Sequence, residues 1–238
     1  MAIAYGSITT RTQASTANSV SIPSADCLGI VYHVGDLFAD NLTGVTWDGD
    51  AMTKVASFAD SYDRAITVWY IANPSTGVST LASTGGTFNE WVSSYYTGTD
   101  LTDPIDDAQT NGRGTQATAI SVSITSTVAD SWFVVFVKDD SGNKTYTASN
   151  DVSEERLATS AGGQGIADSG STVSTGSLTG TMTANSSVRQ QIIGFNIIPP
   201  APTTSIAKVD GIAQASIAKM DGVALASIAK IDGISNTS

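Results

Sequence analysis

Chemistry at a protein site needs nucleophiles, bases or metal ligands at workable spacing, and this 238-residue chain offers few. His33 is its only histidine and Cys27 its only cysteine. A serine–histidine–acid triad would have to be built on His33. That residue lies in Ile30-Val-Tyr-His-Val34 at alternating spacing, which reads as an ordinary strand position. Cys27 stands between Asp26 and Leu28 with no histidine nearby, so it reads as a core or strand-edge thiol. No His-x-x-His pair, phosphate loop or dinucleotide fingerprint occurs. Ala161-Gly-Gly-Gln-Gly165 has glycines but no strand-to-helix context, and reads as a loop.

Paired carboxylates remain, because β-sandwiches can host glycosidases. The pairs are Asp48/Asp50, Asp100/Asp103, Asp106/Asp107, Asp139/Asp140 and Glu154/Glu155. Nearly all sit beside Gly, Pro or Asn, where turn chemistry accounts for them without catalysis. Asp139-Asp-Ser-Gly-Asn143 has oxygen ligands for calcium but lacks the spacing and closing glutamate of an EF-hand loop. Trp91, Tyr95 and Tyr96 are the aromatics most open to a sugar-stacking role, but core packing is the favoured reading. The residues therefore predict no catalytic site, no cofactor and no metal.

The elements that would position these residues are β-strands. Short apolar or alternating runs recur between Gly, Asn, Asp and Ser clusters, the pattern of an all-β antiparallel sandwich. Strands are predicted over 19–23, 28–34, 44–47, 54–60, 64–72, 77–83, 90–97, 117–124, 131–138, 154–161, 170–178 and 190–197. The run Ser131-Trp-Phe-Val-Val-Phe-Val137 is apolar on both faces and belongs at a sheet centre. Trp47-Asp-Gly-Asp50 is a hairpin signal, and Asn73-Pro-Ser-Thr-Gly77 a turn. Residues 98–116 read as a long surface loop, and 161–188 as edge strands or a mobile flap. The sandwich spans 1–198, with 1–18 a polar arm able to mediate assembly.

Pro199-Pro-Ala-Pro-Thr-Thr204 is a stiff linker. Beyond it, residues 205–238 hold three 11-residue units that begin at Ser205, Ser216 and Ser227 and share Ser-Ile-Ala-Lys-x-Asp-Gly. An 11-residue period suits a right-handed helical supercoil, with Ile206, Val209, Ile217, Met220, Ile228 and Ile231 on the seam. Each unit also carries a glycine, which costs a helix about 1 kcal/mol relative to alanine. Asp-Gly between apolar residues favours a hairpin instead, with Val209 facing Ile212, Met220 facing Val223 and Ile231 facing Ile234. Fewer than about 40 residues rarely fold unaided, so these apolar positions need another surface.

Net charge is −11, from 11 basic and 22 acidic residues. The three repeats carry three lysines and three aspartates, so the whole excess lies on the body. Such acidity argues against nucleic acid as a partner. No apolar run reaches the roughly 18 residues of a membrane helix, and Met1-Ala-Ile-Ala-Tyr-Gly lacks the features of a signal peptide. Synthesis in a cytoplasm is the expectation.

Four segments in order carry a resemblance. They are Val45-Thr-Trp-Asp-Gly-Asp-Ala-Met-Thr-Lys-Val55, Val68-Trp-Tyr-Ile-Ala-Asn-Pro-Ser-Thr-Gly77, Tyr95-Tyr-Thr-Gly-Thr-Asp-Leu-Thr-Asp-Pro-Ile105 and the strand after Ala129-Asp130. Their order resembles a jelly-roll-type sandwich module of bacteriophage and bacterial surface proteins. The Ile-Ala-Lys-x-Asp-Gly repeat likewise resembles short repeats near the ends of phage virion proteins, with Asp where Asn is commoner. The resemblance implies a non-enzymatic virion protein: a capsid decoration (cement) protein, a head fibre or spike, or a tail component. It implies a homo-oligomer, a trimer foremost, with the major capsid or other virion proteins as partners. The alternative is a tail or fibre module that binds a host surface glycan.

Overall fold

The computed structural model describes residues 2–10, 12–14, 16–24, 26–37, 39–61, 64–86, 89–157 and 162–201, together with the backbone of six two-residue strands in the C-terminal repeats. Every regular element among them is a strand, and every pairing is antiparallel. Residues 1–200 form one compact unit and 201–238 a second.

The large unit is an all-β sandwich whose sheets divide the chain by halves. The first sheet joins β1 (Ala4–Ile8), β10 (Glu90–Thr97), β4 (Cys27–Leu37), β8 (Arg64–Ala72) and β7 (Thr53–Phe58) in that order, with β2 (Thr12–Gln13) also on β10. The second joins β11 (Ile105–Ser126), β16 (Gly176–Ile197), β12 (Trp132–Asp139), β15 (Gln164–Asp168) and β14 (Glu154–Leu157), with β13 (Tyr146–Asn150) on β16. A four-stranded sheet of β3 (Thr16–Asn18), β9 (Thr80–Thr84), β5 (Gly44–Trp47) and β6 (Asp50–Ala51) covers the outside of the first.

Strand alternation sorts the side chains into three cores. Leu28, Ile30, Tyr32 and Val34 of β4 meet Trp132, Val134 and Phe136 of β12 and Ile193, Phe195 and Ile197 of β16. Tyr32 stacks obliquely on Phe136 with ring centres 5.4 Å apart. The opposite face of β12, Phe133, Val135 and Val137, packs under Ile120, Val122 and Ile124 of β11 and Leu178 and Met182 of β16. Behind the first sheet, Val31, Trp69 and Trp91 pack on Val45, Trp47 and Leu81. Each large side chain so buried contributes about 1.5–3 kcal/mol.

β12 is central, as its doubly apolar pattern requires. The β5–β6 hairpin turns at Asp48 and Gly49, both at positive φ (55° and 91°), as a two-residue Asp-Gly turn demands.

Two stretches depart from expectation. The predicted loop 98–116 contains the first half of β11, a 22-residue strand at the edge of the second sheet. An edge strand needs no apolar run, and its polar side chains bond within the strand. β11 and β16 both bend where their register breaks, between Arg113 and Ala119, and fold back over β12. Asp107 then accepts from the Thr125 N–H (2.8 Å), and Asn111 donates to the Ser121 carbonyl (2.8 Å). The stretch 161–188, expected as edge strands or a flap, contains buried β15 and the first half of β16, strands of the sheet interior. Its serines and threonines alternate with inward Leu178, Gly180, Met182 and Ala184. Gly180 permits the fold-back, since a Cβ there would lie 2.6 Å from Val135 Cγ1.

The arm expected over 1–18 is built into the sandwich: β1 and β2 pair with β10, and β3 with β9. In the repeats, β17 (Lys208–Val209) pairs with β18 (Ile212–Ala213), β19 (Lys219–Met220) with β20 (Val223–Ala224), and β21 (Lys230–Ile231) with β22 (Ile234–Ser235).

Candidate functional site

The residues that could do chemistry are tied into architecture. His33 is buried on β4, its Nε2 2.8 Å from Asn89 Oδ1, which also accepts from Ser83 Oγ at 2.9 Å. Trp69 Nε1 donates to Thr67 Oγ1 at 2.8 Å, and that hydroxyl lies 3.5 Å from His33 Nδ1. The Trp91 ring meets the imidazole edge-on at 4.5 Å. Cys27 is buried, with Ser24 Oγ 3.7 Å from its sulfur.

The carboxylates act largely as caps for backbone N–H groups, and several lie on strands rather than in turns. Asp106 accepts from the Thr127 N–H at 2.6 Å and from its hydroxyl at 2.5 Å. Burial works to raise Asp106, but hydrogen bonds from Thr127, Asn196 and Val128 together outweigh it and hold the carboxyl below its ordinary range. Glu155 accepts from the Ala148 N–H at 3.0 Å, and Asp100 from the N–H groups of Thr102 (2.7 Å) and Asp103 (3.2 Å). In the loop considered for calcium, Asp139 accepts from Ser141 N–H and Oγ, Gly142 N–H and the Tyr146 hydroxyl, all within 2.9 Å. Among the described residues no group of three or more His, Cys, Asp or Glu is placed to hold a metal ion.

The aromatics considered for sugar stacking are not presented as a platform. Trp91 is 1% exposed in the core behind the first sheet, its Nε1 donating to the Ala14 carbonyl at 2.9 Å. Tyr96 is fully buried between the sheets, and only Tyr95 is half-buried. The stacking assignment is corrected on that ground: strand alternation on β10 turns 91 and 96 into opposite cores. Of the repeat positions, Ile206, Ile217 and Ile228 lie outside the described residues. Val209 pairs with Ile212, Met220 with Val223 and Ile231 with Ile234 by backbone register.

The structure reveals two buried polar groups between the main sheets, where β10 lies over β15. At one end Asp168 is fully buried and forked by Arg156, with Nε–Oδ2 and Nη2–Oδ1 both 2.8 Å. Tyr96 donates to the same carboxylate at 3.0 Å, as does the Gly170 N–H at 2.9 Å. Arg156 lies 4.1 Å over the Tyr5 ring, which meets Tyr96 edge-on at 5.7 Å. Burial opposes the Arg156 charge, but Asp168 more than offsets it and raises the group. Burial pushes the Tyr5 phenol up to about 12 and raises Tyr32 and Tyr96 as well.

At the other end stand Glu90, Lys138, Gln164 and Gln191, each buried. Gln164 Nε2 donates to Glu90 Oε2 at 2.6 Å. Sequence reasoning passed over both groups. The available signal was parity: Lys138 continues the inward series Trp132, Val134, Phe136, and Gln191 precedes Ile193, Phe195 and Ile197.

No known family model matches this chain, and no curated protein does. Among solved structures, a conserved protein of unknown function from Pseudomonas aeruginosa PAO1 is similar at TM-score 0.30 and 8% identity, over 76% of this chain and 75% of that one. That likeness is too distant to carry fold or function.

Proposed function

We propose that the chain is a non-enzymatic structural protein of a phage particle, a capsid decoration (cement) or head spike protein that assembles as a homotrimer. The observation that carries the reading is the repeat. Three in-register 11-residue units each set one Asp-Gly between paired two-residue strands, with apolar residues on both arms. A segment this short cannot bury its own isoleucines, so its apolar positions call for a second surface. Other copies of the same segment supply one, with symmetry closing the assembly. Carboxylates that cap backbone N–H groups suit a body whose role is shape, and its acidity suits a basic partner. The major capsid or other virion proteins would be that partner.

The test is the particle. Purified virions should contain the chain at a copy number matching a capsid symmetry class, and shells stripped of it should melt at lower temperature, because a ligand of the assembled state stabilises it by mass action. Its absence from purified particles overturns the reading.

A further inference from the structure

The cluster at the second end of the inter-sheet core has an unusual composition. Backbone register sets Lys138 of β12 directly opposite Gln164 of β15 on one side and Gln191 of β16 on the other. Directly opposed residues on neighbouring strands have Cβ atoms about 4.5–5.5 Å apart. Alternation turns all of them toward the first sheet, since Phe136, Ile166 and Ile193, two residues along each strand, belong to the inter-sheet core. Glu90 enters from β10 of the facing sheet, two residues before inward Val92, and its Oε2 accepts from Gln164 Nε2 at 2.6 Å. Relative exposures are 5% for Lys138, 4% for Glu90, 0% for Gln164 and 1% for Gln191. Lys138 Nζ donates to the Asp139 carbonyl, and neither Nε2 nor Oε1 of Gln191 has a hydrogen-bond partner.

An amine, a carboxyl group and primary amides, enclosed together away from water, are the reactants for amide exchange. We propose that Lys138 and Gln164 become joined by an intramolecular isopeptide bond, with Glu90 as the general acid–base and ammonia as the leaving group. The Lys138 ammonium first gives a proton to the Glu90 carboxylate. The free amine then attacks Gln164 Cδ, forming the new C–N bond while the carbonyl electron pair moves to Oε1. Glu90 passes that proton to the leaving Nε2, takes the second proton from the attacking nitrogen and hands it to the departing ammonia, which leaves as ammonium. Collapse of the tetrahedral intermediate breaks the Cδ–Nε2 bond. One lysine ammonium and one carboxamide thus give one secondary amide and one ammonium ion, with no oxidant or cofactor.

Three features favour this pair. Glu90 already touches the nitrogen that must leave, the position a general acid requires. The apolar walls, Val34, Phe136 and Ile166, exclude the water that would compete as nucleophile. Lysine amines act as nucleophiles where surroundings desolvate them. Gln164 is assigned as the acyl donor, not Gln191, because Glu90 contacts Gln164.

The experiment is the intact mass of the purified full chain under denaturing conditions, followed by peptide mapping. The expected result is a chain lighter than its sequence by one ammonia, with a branched peptide that links Lys138 to Gln164. Glu90→Gln and Lys138→Met should each return the mass to the sequence value. A wild-type mass equal to the sequence, with Lys138 and Gln164 in separate unmodified peptides, overturns the proposal and requires no variant to fold. A branch at Gln191 overturns the assignment of Gln164, and a bond that persists in folded Glu90→Gln overturns the role of Glu90.

Discussion

At the scale of single residues, the structure is most exposed to change where charge is buried. Asp168 is buried at 0% exposure and is held by the Arg156 fork, the Tyr96 hydroxyl and the Gly170 N–H. Removing one member of such a pair leaves the other uncompensated, at a cost of about 3–5 kcal/mol. Arg156→Met should therefore lower the urea midpoint sharply, whereas the double change Arg156→Met with Asp168→Leu should recover most of the loss. Titration adds two signs. Asp106 is depressed in the folded state, so its contribution is present above the ordinary carboxylate range near 4 and is lost as pH falls through the folded value. Asp106→Asn should flatten the acid limb of the stability curve. Tyr5, Tyr32 and Tyr96 are raised, so the unfolded chain gives up their protons first. Their contribution is intact below about 10 and falls away above it, for Tyr5 through about 12. Alkaline titration should show these phenolate signals emerging together with loss of near-ultraviolet circular dichroism.

At the scale of elements, the legible strands were those with a face to bury. The bounds of β5, β8 and β10 match the apolar alternation read along the chain, and β12 stands at the sheet centre its double-sided pattern demands. The Asp48–Gly49 turn follows from the dipeptide itself. The first half of β11 was illegible because Asp, Gln and Asn fill it, and the stretch of β16 before residue 190 because Ser, Thr and Gly fill its outward positions. Their inward residues include Gly180 and Ala184, whose small size serves close layer contact and gives little hydrophobic signal. The polar ends of the inter-sheet core were hidden for a related reason. Lys138 reads as a strand end and Gln164 as part of a glycine loop until the facing sheet brings Glu90 to them. Gly180→Leu tests the layered arrangement. Its Cβ would fall 2.6 Å from Val135 and 3.0 Å from Phe133, and overpacking of this kind costs about 1–3 kcal/mol. The denaturant midpoint should drop accordingly, while Ser177→Leu, on the exposed side of the same strand, should leave it nearly unchanged.

At the scale of the whole molecule, a compact body of residues 1–200 is followed by a short unit of different character. The body carries the entire excess of negative charge, and the repeats are neutral and striped with isoleucine, valine and methionine. That division of composition is what the structural reading rests on: a body that supplies shape and a repeat that supplies contact with other copies. The most direct test is the native mass of the full chain beside a chain ending at Pro200. Assembly through the repeats gives the full chain the mass of three copies and the shortened chain that of a folded single copy. A single copy for both, or three for both, would contradict the assignment of assembly to the repeats.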